Sequence, residues 1–201
     1  MSFIETVPVA EATGDVRRMY EQNQARLGYV PNYAKVFSLR PQVMDGWAQL
    51  QKSIRSTMDS RRFELVTLAA ARALRSSYCS LAHGRVLETQ FFSAGDVTRI
   101  ARRDADSPLE QAEVAVMAFA EKVVRQADAV TREDVEILRS HGLTEGEIFD
   151  VAAAAAARCF FSKILDALGA EPDASYEALS PDLRDALTVG RPISRKGPET
   201  L

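Results

Sequence analysis

Apolar residues recur at three- and four-residue intervals along nearly the whole chain, and alternating apolar and polar runs are scarce, so the pattern predicts an all-α protein. Val116, Phe119, Ala120, Val123, Val124 and Ala127 fall on one face of a helix predicted over 108–127. Ser107 supplies its N-cap, Pro108 its first helical position and Glu110 an acid at the third. Thr131 with Asp134 opens a short helix toward Ser140. Thr144 and Glu147 form a capping box flanked by Leu143 and Ile148, placed as a hydrophobic staple. The helix they begin runs through the alanines at 152–157 to Leu168, where Gly169 and then Pro172 stop it. Upstream, Asp15 to Leu27 reads as a helix closed by Gly28, and Tyr29 to Asn32 turns the chain at Pro31. Helical spacing resumes from Pro41 to Arg55 through Val43, Trp47, Leu50 and Ile54. After a short helix around Pro181 to Thr188, the glycine, proline and charge content of GRPISRKGPETL predicts a mobile or partner-docked tail over 191–201. Residues 1–190 are expected to form a single compact helical domain.

The alanine tract lets another helix approach closely, which suits packing between helices within a chain or between chains. With 201 residues and 46% hydrophobic content, the chain has enough apolar material for a sizeable core of its own. Its 25 basic and 28 acidic residues are interspersed, without the blocked basic footprint that nucleic acid or an anionic membrane would need. A small molecule or a protein is the expected partner, with no nucleic acid and no membrane. No apolar run approaches the ~20 residues of a membrane span. The first residues lack the pattern of a signal peptide, so a cytoplasmic location is expected. Cys79 and Cys159 are the two cysteines and His83 and His141 the two histidines, too few for a disulfide framework or a metal cluster. No cofactor is expected. Cys159 reads as core packing, and His141, before Gly142, as a cation suited to a helix end.

Chemistry concentrates in FELVTLAAARALRSSYCSLAHGRVL, which holds Glu64, Ser76, Cys79 and His83. One straight helix cannot unite them: at ~1.5 Å per residue the stretch from Glu64 to Cys79 spans ~22 Å. A break is predicted at Arg75, Ser76 and Ser77, where two serines follow a run of helix formers. Ser76 then becomes an N-cap, its hydroxyl accepting from the Cys79 amide, and Cys79 occupies the third position of a new helix. There the helix dipole favours a thiolate, the nucleophilic form of cysteine. His83, four residues on, shares a face with Cys79 and can take its proton, while Glu64 folds back to orient the histidine or accept the proton in turn. Gly84, unfavourable within a helix, implies the close approach of another backbone.

The spacing E-x11-S-x2-C-x3-H resembles the core motif of the alkylhydroperoxidase D and carboxymuconolactone decarboxylase-like family. Further similarity to its peroxidase-related subgroup extends over GYVPNYAKVFSLRP, AVMAFAEKVV, EDVEILRSHGLTEGEIFDVAAAAA and LRDALTVGRPI. The resemblance implies a helical bundle of the alkylhydroperoxidase D type, assembled as a homo-oligomer. In the peroxidase branch cysteines stand at the positions matched by both Ser76 and Cys79, with the glutamate and histidine matched by Glu64 and His83. The second cysteine attacks peroxide and the first resolves the product. By that resemblance this chain keeps the attacking thiol in Cys79 and has Ser76 in place of the resolver, so a sulfenic acid on Cys79 needs an external thiol reductant.

Three functions follow as expectations. The first is a thiol-dependent peroxidase using Cys79, His83 and Glu64. The second is a decarboxylase-like enzyme acting through the histidine, although no basic cluster near the motif is visible to hold a substrate carboxylate. The third is a non-catalytic redox sensor or assembly protein.

Overall fold

The computed structural model describes residues 2–201. Among them are ten α-helices, with no strand ladder beyond an isolated bridge between Val30 and Glu199. They are α1 (Gly14–Leu27), α2 (Asn32–Phe37), α3 (Pro41–Arg55), α4 (Ser60–Ala73), α5 (Ser77–Gln90), α6 (Ala94–Arg102), α7 (Gln111–Gln126), α8 (Arg132–Ser140), α9 (Glu145–Ala167) and α10 (Pro181–Leu187). The fold is all-α. No helix among the described residues is long and apolar enough to cross a membrane.

Helix α4 is the axis of the bundle. Its residues from Phe63 to Ala71 are all buried, and α5, α7 and α9 pack around it. A helix covered on all sides needs apolar or small side chains all round, which Leu65, Val66, Leu68 and the alanines at 69–71 provide. Glu64 and Thr67 are the exceptions. Thr67 returns its hydroxyl to the Phe63 carbonyl at 2.7 Å. Glu64 is reserved for the site.

The break between α4 and α5 occurs where the sequence places it. Arg75 adopts a left-handed conformation with φ 57°, and the Ser76 amide donates to the Ala71 carbonyl at 2.9 Å. This closes α4 by the crossed hydrogen bonds of a Schellman turn, with arginine where glycine is usual. A non-glycine residue there costs roughly 1–2 kcal/mol, so the turn needs outside support. Gly190 supplies it, donating its amide to the Ser77 hydroxyl at 2.7 Å and lying flat against the Arg75 carbonyl. Residues 191–201 then run back over the chain's own surface. Ser194 donates to the Pro172 carbonyl at 2.8 Å, Val30 to that of Glu199 at 2.8 Å, and Glu199 pairs with Lys35.

Several boundaries differ from the reading of the sequence. Helix α7 begins at Gln111 rather than at 108, because Glu110 takes the N-cap position. Its amide donates to the Glu113 carboxylate, which also receives a two-pronged bond from Arg61 on α4. Helices α2 and α6 lie in segments where the sequence reading places no helix. The neighbour of Gly84 is not a backbone but the buried Leu187 side chain on α10: a Cβ at Gly84 would lie 2.4 Å from its Cδ1. Gly84→Ala should therefore cost about 1–2 kcal/mol, an overpacking penalty partly offset by better helix propensity. Adding Leu187→Val should recover more than half of that loss in urea denaturation. Equal stability of Gly84→Ala and wild type would dismiss the contact.

Candidate active site

The Schellman turn sets α4 and α5 side by side and brings Glu64 to His83. The ring Nδ1 lies 2.6 Å from Glu64 Oε2, and the other carboxylate oxygen faces Arg55 at 3.5 Å. Burial alone would raise the Glu64 carboxyl. The charge and hydrogen bond of His83, with Arg55 and Arg158 beyond, outweigh it and hold the group below its ordinary value. Glu64 is thus an anion and must accept, so Nδ1 carries the proton and Nε2 keeps its lone pair. Burial, followed by the charge of Arg158, lowers the imidazole below its ordinary 6.5, with Glu64 opposing. At neutral pH His83 is an uncharged base of fixed tautomer.

Cys79 lies one turn before His83 on α5. It is 2% exposed, and its sulfur receives a hydrogen bond from Arg158 Nη1 at 3.6 Å. Arg158 is not among the residues expected at the site. It projects from α9, is 5% exposed, forms no ion pair with a described residue, and packs its guanidinium over Trp47 at 5.5 Å and Phe161 at 5.7 Å. A buried cation without a carboxylate of its own is costly unless something else compensates it. Here the compensation comes from ring faces, a sulfur atom and the shared field of Glu64.

Ser76 occupies the N-cap position of α5 with extended backbone, yet its hydroxyl makes no capping bond, contrary to the expected bond from the Cys79 amide. The side chain is fully buried and its hydroxyl oxygen has no hydrogen-bond partner among the described residues, although it favours the charged form of the nearby Asp166 carboxylate on α9 against the burial that raises it. The Ser76 carbonyl accepts the first helical hydrogen bond of α5, from the Ser80 amide at 3.0 Å. Cys159 sits one residue beyond Arg158 but on another face, its thiol bonded to the Ala155 carbonyl at 3.7 Å of its own helix, and it does not line the cavity. Both cysteines are free.

Cys79 and His83 open onto a cavity of about 630 Å³. Its walls are aromatic, with Trp47, Phe161, Tyr33, Tyr78 and Tyr176 among them. The tyrosines are held neutral. Burial pushes Tyr33 up to about 12, and burial with the nearby Asp173 raises Tyr78 and Tyr176 as well. Arg26, Lys52 and Arg55 reach the same cavity from α1 and α3 and join Arg158. The basic cluster not visible in the sequence therefore exists, assembled from three separate helices.

No protein-family model matches the chain. No curated protein matches it either. Solved structures do. An uncharacterized peroxidase-related protein from Ralstonia eutropha JMP134, described as an alkylhydroperoxidase AhpD core, superposes with a TM-score of 0.78 at 22% identity, over 87% of this chain and 94% of that one. An uncharacterized peroxidase-related protein from Silicibacter sp. TM1040 does so with the same TM-score and identity, over 88% and 94%. A cysteine-to-alanine variant of the debrominase Bmp8, in complex with 2,3,4-tribromopyrrole, follows at a TM-score of 0.69 and 16% identity, over 90% and 94%. The chain has the alkylhydroperoxidase AhpD-like helical fold.

Proposed function

We propose that the chain is a peroxidase-related member of the alkylhydroperoxidase D-like group that reduces hydroperoxides through Cys79. The observation that carries this reading is the convergence on one cavity of a thiol bonded by a buried guanidinium and an imidazole held by an ionised glutamate. His83 Nε2 accepts the thiol proton, Glu64 stabilises the imidazolium formed, and Arg158 stabilises negative charge on sulfur. Sulfur attacks the distal peroxide oxygen and the O–O bond breaks. The departing alkoxide takes a proton from His83 and leaves as alcohol, with Cys79 oxidised to sulfenic acid and the peroxide reduced by two electrons. Ser76 cannot resolve that product, and Cys159 faces elsewhere. One external thiol condenses with the sulfenic acid to release water and form a mixed disulfide, and a second restores Cys79. With Cys79 almost wholly covered, the reductant must be slender enough to enter the cavity.

The reading includes a cytoplasmic setting, where such thiols stay reduced. It also includes a homo-oligomer packed through the outer face of α9, where Phe149, Ala153, Ala156 and Phe160 follow one another at alternating four- and three-residue steps and Phe149 is 72% exposed. A second reading, favoured by the likeness to the debrominase, uses the same sulfur. It would take a halogen from an electron-rich ring, leaving a proton on carbon and a sulfenyl halide for the external thiol to reduce.

Stoichiometric cumene hydroperoxide should place one oxygen on Cys79, trapped by a dimedone-type reagent and located by mass spectrometry. Cys79→Ser should show no such adduct, and a monothiol should restore the wild-type enzyme over many cycles. Absence of a sulfenic acid on Cys79, or its formation without any thiol-driven turnover, would remove the peroxidase reading.

A further inference from the structure

We propose that the cavity above Cys79 selects a substrate with an aromatic or otherwise apolar body and an anionic head group, its reactive atom at the sulfur and its head at Arg55 and Lys52. This deepens the hydroperoxide reading by naming the substrate class and rests on it for the reacting bond.

Three observations converge. The first is size. A cavity of about 630 Å³ is far larger than hydrogen peroxide needs, a molecule not much bigger than water with its ~30 Å³ share of liquid volume. It falls in the range of sites that enclose whole organic ligands. The second is the chemistry of the walls. Trp47, Phe161 and Tyr176 offer ring faces, and the neighbouring tyrosines are kept protonated, so the lining is apolar with neutral hydroxyls.

The third observation, charge, decides the class. Arg26, Lys52, Arg55 and Arg158 reach the cavity against one carboxylate, that of Glu64, which is 1% exposed, bonded to His83 and shared with Arg55 at 3.5 Å. Arg26 donates to Asn23 and Tyr33, both neutral, and neither Lys52 nor Arg158 pairs with a described acid. Arg158 Nε is buried without a hydrogen-bond partner. Asp173 is buried behind Tyr78, accepts its hydroxyl and does not line the cavity, although its charge reaches the wall tyrosines. Four positive groups facing one spoken-for anion form a field that attracts a carboxylate, sulfonate or phosphate and strengthens as water leaves the cavity. Lys52 and Arg55, both exposed, lie one turn apart on α3 and can share such a head, with Arg55 keeping its contact to Glu64 at 3.5 Å.

The test uses unreactive probes, so that binding is read without turnover. Trp47 is the single tryptophan of the chain and lines the cavity, which makes its fluorescence a direct reporter. In low-salt buffer 4-isopropylbenzoate should bind at least about tenfold more tightly than the isosteric, neutral 4-isopropylbenzamide, and added salt should narrow the gap. Lys52→Gln, at an exposed position where folding is not at stake, should cut that preference about threefold or more, and Arg55→Gln should cut it further. Equal affinity for acid and amide, no binding of either, or a preference untouched by both substitutions would overturn the proposal. Selective acid binding by a protein that never forms a sulfenic acid would instead retain the anion site and remove the peroxidase reading.

Discussion

Glu64→Gln is expected to slow the oxidation of Cys79 by cumene hydroperoxide on the order of 10²–10⁴-fold, the scale of general-base assistance, while leaving the cavity in place. The substituted amide can still accept from Nδ1 through its oxygen but carries no charge to stabilise the imidazolium that the proposed proton transfer from the thiol would form. Turned the other way, it would donate to Nδ1, move the ring proton to Nε2 and abolish the base. The substitution also changes the pH response. In the wild type the imidazole lies below its ordinary 6.5, with Glu64 the influence that raises it and Arg158 one that lowers it. Removing the carboxylate should lower it further, so the acid limb of the rate profile moves to lower pH even as the plateau falls. A purely structural role for Glu64 would reduce the rate without moving that limb. A plateau within threefold of wild type would show that His83 does not depend on Glu64. Stability follows the same charges. Glu64 and His83 both titrate lower in the folded chain, so the unfolded chain binds more protons between each folded value and its ordinary one. The fold should weaken as pH falls through those windows.

Much of this site is legible in the sequence because its chemistry is local. The break between α4 and α5 follows from two serines after a run of helix formers, and Cys79 and His83 meet because four residues make one turn. The return of Glu64 is required by the length of a straight helix, and the 2.6 Å bond to His83 is its outcome. The role of Ser76 is harder to see. A serine before a helix can turn its hydroxyl to the first turn or away from it, and the packing of α9 around the buried Ser76 leaves the first-turn bond unmade.

Arg158 escapes a reading of the sequence although a signal is present. Ile148, Val151, Ala155, Arg158, Ser162 and Leu165 follow one another at three- and four-residue steps on the face of α9 that is buried. A charged residue on a core stripe is rarely fully buried without a purpose. The basic cluster offers no such clue, because Arg26, Lys52, Arg55 and Arg158 come from α1, α3 and α9 and meet only through packing. Helix α6 shows the opposite lapse. Its N-terminus carries a capping box of Ser93 and Asp96, the same spacing by which Thr131 and Asp134 mark α8, so the signal lies in the sequence.

Gly190→Ala should be the most damaging single substitution outside the candidate site. A Cβ there would lie 2.1 Å from the Arg75 carbonyl oxygen and 3.3 Å from its carbon, and backbone cannot swing aside as a side-chain tip can. Arg75 has nowhere to retreat. Its φ of 57° is fixed between the last hydrogen bonds of α4 and the first of α5. The expected loss is about 2–3 kcal/mol or more, at the upper end of overpacking, which for a chain of this size is roughly 4–12 °C in Tm. Gly197→Ala, where an added Cβ meets nothing within 4 Å, serves as the control and should change Tm little. The consequence reaches the chemistry, because the turn that Gly190 braces is the one that folds Glu64 onto His83. Below its Tm, Gly190→Ala should therefore lose peroxide reactivity beyond the fraction unfolded. A melting temperature equal to that of Gly197→Ala would show that the C-terminal segment does not brace the α4–α5 turn. A lowered Tm with full reactivity in the folded fraction would separate the brace from the geometry of the site.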